Sequence, residues 1–250
     1  MEWIADDGTT IYYELHGDER LPSLVLLPGL LGAISRQWQP FVQPLSAHFR
    51  LLLLDLRGHG RSSNNAADLQ PERMVQDVVG VLDEVGLTAV SLSGYDFGGY
   101  LALLLALTQP RRVTTLHLHA TKFYWTAESA AQMRQQLDPE TLATTAPSYA
   151  DQLVIDHGSR RWRDLLRQSA ALIAQQASGS INDRQLQQLP CSTLVSVGDR
   201  DEIVSLPEAH RLSRSLRRGG LFVLPGVHHP IHTLPLVPML PMLQTFHKNK

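Results

Sequence analysis

Short apolar runs recur along the chain, separated by longer stretches with helical periodicity. The runs at 24–27, 51–54, 89–92, 113–118, 194–197 and 221–224 are mostly apolar at consecutive positions rather than alternating. Strands buried on both faces need that composition, because neither face meets water. The intervening segments 36–47, 71–85, 97–108 and 207–217 read as helices, two of them opening on Pro71 and Pro207, where the missing amide costs nothing. Strand and helix in turn predict an α/β fold with a doubly wound, mostly parallel sheet. Ahead of it, the segments 3–5 and 10–15 flank Asp7-Gly8, a two-residue turn signal, so the chain is expected to open with an antiparallel hairpin.

The alternation stops between 122 and 188. This stretch is polar, rich in Ala, Gln and Arg, and carries helical patterns but no convincing strand. It predicts a helical cap inserted into the sheet domain, dividing the chain into core (1–121), cap (122–188) and core (189–250). Pro235, Pro238 and Pro241 recur near the end. A proline inside a helix costs about 3 kcal/mol or more, so the last helix is expected to begin late or to kink.

At 250 residues the chain has room for one domain with an insertion. Its 22 basic and 24 acidic residues leave a net charge of -2, which provides no field for a polyanion and argues against nucleic acid as the partner. The single cysteine, Cys191, excludes an internal disulfide and thiol-ligated clusters. The first ten residues carry Glu2, Asp6 and Asp7 and no apolar stretch, unlike a secretory leader, and no apolar run approaches the ~20 residues that span a bilayer. The expectation is a cytoplasmic protein, off the membrane, acting on a small molecule, with its oligomeric state open. His117 with His119, and His228, His229 and His232, lie close in sequence but lack a matching carboxylate or thiol set, so neither a metal nor another cofactor is implied.

The most informative segment is Val90-Ser91-Leu92-Ser93-Gly94-Tyr95-Asp96-Phe97-Gly98-Gly99, an apolar strand running into a helix with glycines two before and two after Asp96. That spacing describes a sharp strand-to-helix turn that exposes its central side chain at a helix N-terminus, where negative charge is favoured. Alone, it is equally an acidic helix cap on a tight turn. Three further segments follow strands: Leu27-Pro28-Gly29-Leu30, Gly198-Asp199-Arg200-Asp201-Glu202-Ile203-Val204, and Gly226-Val227-His228-His229-Pro230. With Asp55-Leu56-Arg57-Gly58-His59-Gly60 they make the chain resemble the α/β-hydrolase superfamily from its first hairpin to its last helix.

Within that superfamily the aspartate elbow resembles those of epoxide hydrolases and dehalogenases. The resemblance implies Asp96 as nucleophile, Asp201 as acid and His229 as base, with Asp199 and His228 as competitors for the last two roles and His59 as structural. It implies oxyanion donors in the backbone amides of Phe97 and Leu30, although Pro28 stands where many relatives have histidine. Tyr124, Trp125 and Tyr149 in the cap, and Trp38, are candidate substrate contacts. Phe97 after the nucleophile cannot donate a side-chain hydrogen bond, which favours an epoxide over a halide. No basic residue follows Asp96 to hold a carboxylate, which favours an uncharged substrate. The cap opening 121–128 also resembles small α/β-hydrolases with a serine elbow. Two alternatives therefore stand beside the Asp-nucleophile hydrolase: an ester or carbon-carbon bond hydrolase or lyase using Asp96 as acid or base, and a non-catalytic ligand-binding relative.

Overall fold

The computed structural model describes residues 1–176 and 181–248. Its sheet has eight strands: β1 (Glu2–Ile4), β2 (Thr10–His16), β3 (Ser23–Leu27), β4 (Arg50–Leu54), β5 (Val90–Tyr95), β6 (Val113–His119), β7 (Ser192–Gly198) and β8 (Gly219–Leu224). They lie in the order β1-β2-β4-β3-β5-β6-β7-β8. The hairpin is present, with β1 antiparallel to β2 and β2 antiparallel to β4, and every later pairing is parallel.

The apolar runs are unbroken because alternate residues feed two cores. Val25, Leu27, Leu52 and Leu54 join the larger one, while Leu24, Leu26, Leu51 and Leu53 join the other. Ten helices accompany the sheet: α1 (Gln39–Ser46), α2 (Pro71–Glu84), α3 (Phe97–Thr108), α4 (Ala127–Gln136), α5 (Pro139–Thr145), α6 (Pro147–His157), α7 (Trp162–Gln176), α8 (Asp183–Gln187), α9 (Leu206–Ser215) and α10 (Leu236–Lys248), counted among the described residues. Helix α2 buries Met74, Val75, Val78, Val81 and Leu82, one face at helical spacing. Helix α3 is apolar all round and buried from Phe97 to Ala106, so it is the central helix against which the elbow is braced.

Helices α4 to α8 run between β6 and β7, where a cap was expected; residues 177–180 of that span, and 249–250 of the last one, lie outside the described residues. Two expected boundaries move for backbone reasons. Helix α1 starts at Gln39 instead of Arg36 because Trp38 has φ 66° and cannot be helical. In α10, Val237 is extended (φ -108°, ψ 123°), which the following Pro238 imposes, so the last helix is interrupted near its start as the prolines suggested. Among the described residues no helix is long and apolar enough to cross a membrane.

One sheet face carries a polar chain that the apolar pattern hid. His247 of α10 bonds Thr115 Oγ1 through Nδ1 (2.8 Å) and Ser93 Oγ through Nε2 (2.9 Å). Ser93 continues to His117 Nδ1, whose Nε2 meets Ser196 Oγ, and Ser196 in turn meets His119 Nδ1. Thr115 donates to Ser91, so it accepts from His247 Nδ1–H, and neutral rings then take the same tautomer down to His119.

Candidate active site

Asp96 sits on the turn between β5 and α3 at φ 50°, ψ -119°, a conformation aspartate reaches only under constraint. The constraint is close packing. A Cβ on Gly94 would strike the Gly98 carbonyl, and one on Gly98 would strike the Leu27 and Pro28 carbonyls of the neighbouring strand end. Any side chain at either position would push the elbow off the sheet. The Asp96 amide is fixed by the His119 carbonyl (2.9 Å).

The carboxylate makes no capping hydrogen bond to α3. Its Oδ2 instead accepts the Leu30 amide at 3.1 Å, and the Phe97 amide also favours its charged form. Its Oδ1 faces His229 Nε2 at 3.8 Å. On the far side of that ring, Nδ1 lies 3.0 Å from both oxygens of Asp201. The Asp201 side chain is fully buried and its Oδ1 also accepts the Ile203 and Val204 amides (2.9 and 2.7 Å), which fixes the carboxylate's orientation. The His229 carbonyl accepts the Tyr95 hydroxyl (3.0 Å), so the backbone that carries the ring is held as well.

Burial lifts the proton affinity of Asp96, which His229 and the two amides oppose. Burial works against a charged His229, but Asp201 and the negative charge of Asp96 outweigh it and raise its affinity. The two competitors lie elsewhere. Asp199 is exposed and accepts the Gly226 amide (2.6 Å), and His228 points to Glu202. His59 is buried and bonds the Arg57 carbonyl (2.9 Å).

A cavity of about 1010 Å³ stands above Asp96, with Trp125 and Tyr149 in its wall. Trp38 and Tyr124 do not line it. Trp38 is fully buried in the smaller core, donating its indole N–H to the Leu27 carbonyl (3.0 Å), and Tyr124 packs against the larger core with its hydroxyl buried and the Arg211 guanidinium over its ring (4.0 Å). Two cavity cations are already paired: Arg36 with Asp156 (3.1 Å) and Lys122 with Glu208 (2.6 Å). Gln37, which the sequence did not single out, lines the cavity and accepts the Gly29 amide (2.7 Å), ordering the loop that carries Leu30. Nothing in its local sequence signals this, because its partner is eight residues away on another segment.

The family model described as alpha/beta hydrolase fold matches residues 22–189, about two thirds of the chain. The chain belongs to the α/β hydrolase fold family. As an α/β hydrolase it is 25% identical over 234 residues to the serine hydrolase BPHL of Mus musculus, covering 92% of this chain and 80% of that one. It is 32% identical to a putative carbamate hydrolase RutD of Azorhizobium caulinodans, but over 46% of this chain and only 43% of the relative. It is 29% identical to epoxide hydrolase 4 of Mus musculus over 45% of this chain and 32% of that one. For two of these three, then, the match spans less than half of the relative. The enol-lactonase structure from Burkholderia xenovorans LB400 shares the α/β hydrolase fold at TM-score 0.77 and 19% identity, covering 98% of this chain and 97% of the other.

Proposed function

We propose that this α/β hydrolase attacks an uncharged substrate through Asp96, forming an alkyl-enzyme ester that water activated by His229 then hydrolyses, with an epoxide as the favoured substrate. The observation that carries the reading is the division of the Asp96 carboxylate: in a side chain that lines the cavity, Oδ2 accepts the Leu30 amide while Oδ1 faces His229. Oδ1 is thereby left to attack.

Residue chemistry selects the substrate class. A carboxylate attacking an ester or amide carbonyl would give an anhydride, higher in energy than the acyl compound it came from. Attack on a saturated epoxide carbon gives an ordinary ester. The carbon-oxygen bond breaks with its electron pair going to oxygen, which takes a proton from Tyr149, the phenol in the cavity wall. His229 then takes a proton from water, and hydroxide adds to the Asp96 carboxyl carbon. Charge develops on Oδ2, which the Leu30 amide reaches, and the Phe97 amide also favours negative charge on this carboxyl group. Collapse releases the diol and restores Asp96, and the proton on His229 returns through solvent to Tyr149. Asp201 orients the imidazole. The paired state of Arg36 and Lys122 supports an uncharged substrate, Trp125 supplies an apolar wall, and the helices between β6 and β7 act as the cap.

Single turnover of styrene oxide in heavy-oxygen water tests this. The label is expected in the Asp96 carboxylate and absent from the first diol released; turnover that leaves Asp96 unlabelled would falsify the mechanism. A second reading, with Asp96 as an acid or base, is favoured by the two carboxylates flanking His229. Strong esterase activity in Asp96→Ser, with no epoxide turnover by the parent, would support it.

A further inference from the structure

A buried imidazole outside the triad touches the loop that carries Leu30. His157 ends α6 and is fully buried. Its Nδ1 accepts the Gly60 amide at 2.8 Å, so that nitrogen carries no proton. Its Nε2 therefore bears the hydrogen and donates to the Leu31 carbonyl at 3.0 Å. Both nitrogens are committed, in opposite senses, to two loops of the sheet domain.

Leu31 is the reason this bond matters. Residues 29–32 form a turn closed by the Gly32 amide on the Gly29 carbonyl (3.0 Å), and Leu31, at its third position, has φ 61°. A turn of that type normally takes glycine there; leucine is strained. Leu30, immediately before it, aims its amide at Asp96. The turn is thus pinned on either side of Leu30, at Gly29 by Gln37 and at Leu31 by His157. The same stretch of insertion is anchored again by Arg161, which donates to the Gly60 and Ser62 carbonyls (2.6 and 2.7 Å).

We propose that His157 is a positioning residue that holds the strained Leu31 peptide so that the Leu30 amide faces the Asp96 carboxylate, making the aim of that donor depend on α6. The inference rests on the reading of Leu30 as the donor to an Asp96 intermediate, and its test separates the two. Gln in place of His157 can accept from Gly60 and donate to Leu31; Leu can do neither. Gly in place of Leu31 removes the strain that needs holding.

The primary readout needs no substrate: the nitrogen-15 shift of the Leu30 amide and its change on Asp96→Asn. In the parent and in His157→Gln the signal should move when Asp96 is neutralised. In His157→Leu it should barely move, and Leu31→Gly should restore the response. With styrene oxide, His157→Leu should lower kcat by about 10²-fold, the effect of losing one oxyanion donor, with KM within about threefold. His157→Gln and the Leu31→Gly, His157→Leu double variant should recover most of it. A folded His157→Leu protein whose Leu30 amide responds as in the parent overturns the inference, as does failure of Leu31→Gly to restore a lost response. Absence of an Asp96 label in the parent sinks the mechanism instead, and leaves the amide result to stand or fall by itself. If His157→Leu does not fold, a Leu31→Gly background that neither rescues folding nor restores the response counts against the proposal.

Discussion

Replacing Asp96 by Asn keeps the shape of the proposed nucleophile and removes its charge, and the first consequence falls on His229. Asp96 Oδ1 and His229 Nε2 are 3.8 Å apart, with side chains 20% and 10% exposed. At an effective dielectric near 20, opposite unit charges at that separation attract by about 4 kcal/mol. Asp201 remains on the other side of the ring in the variant, so the imidazole keeps one carboxylate and loses the other. The proton affinity of His229, raised in the parent, should fall. Formation of an alkyl ester makes the same change as the substitution, since both turn a carboxylate into a neutral carbonyl. In the proposed mechanism this favours a neutral His229 at the step where it accepts a proton from water. Titrating the His229 ring by NMR in parent and Asp96→Asn measures this directly. An unchanged or higher midpoint in the variant would refute the electrostatic argument. Stability carries the same sign. Because the folded-state pKa is raised above the ordinary histidine value, the stabilisation is complete below about 6.5 and is lost as pH rises through the folded value. In Asp96→Asn that alkaline loss should end at a lower pH and be smaller.

The buried histidines behave in the opposite way. Burial holds His59 and His247 down to about 3, His119 to about 4 and His117 well below its usual range. Their stabilisation is present above about 6.5 and falls by roughly 1.4 kcal/mol per pH unit for each ring on acidification. Urea unfolding at pH 7 and pH 5 should therefore show steep acid destabilisation, with a slope reduced by about one proton in His247→Gln; a flat profile would contradict it. Gly98→Ala forces a methyl group against the Leu27 and Pro28 carbonyls and should cost about 3 kcal/mol in the same assay. An unaltered midpoint would mean that the elbow can retreat from β3 without penalty.

The sheet was legible because burial on both faces leaves an unmistakable run of apolar residues, as at Leu24 to Leu27 and Leu51 to Leu54. The elbow was legible for a related reason: Gly94 and Gly98 are forced by backbone contacts. Side-chain direction was not legible in the irregular segment before α4. Tyr124 and Trp125 are adjacent, yet only Trp125 lines the cavity, and no periodicity there distinguishes them. Gln37 and His157 were invisible because a polar residue on a helix or loop reads as solvated surface until its distant partner is known. The partner of His157, Leu31, is 126 residues away. Ser93 reads only as part of the elbow segment and His117 only as an incomplete metal pair with His119, whereas both belong to the hydrogen-bonded chain on one face of the sheet.

That chain gives the far end of the polypeptide a place in the elbow's foundation. His247, in the last turn of α10, bonds Ser93, three residues before Asp96 in sequence. A trim, a fused tag or a frayed helix end at His247 would release a hydroxyl on β5, the strand that leads into Asp96. For anyone engineering this chain, the last turn of α10 is therefore part of the elbow's support, and the N-terminal hairpin, at a sheet edge three strands away from β5, is the safer point of attachment.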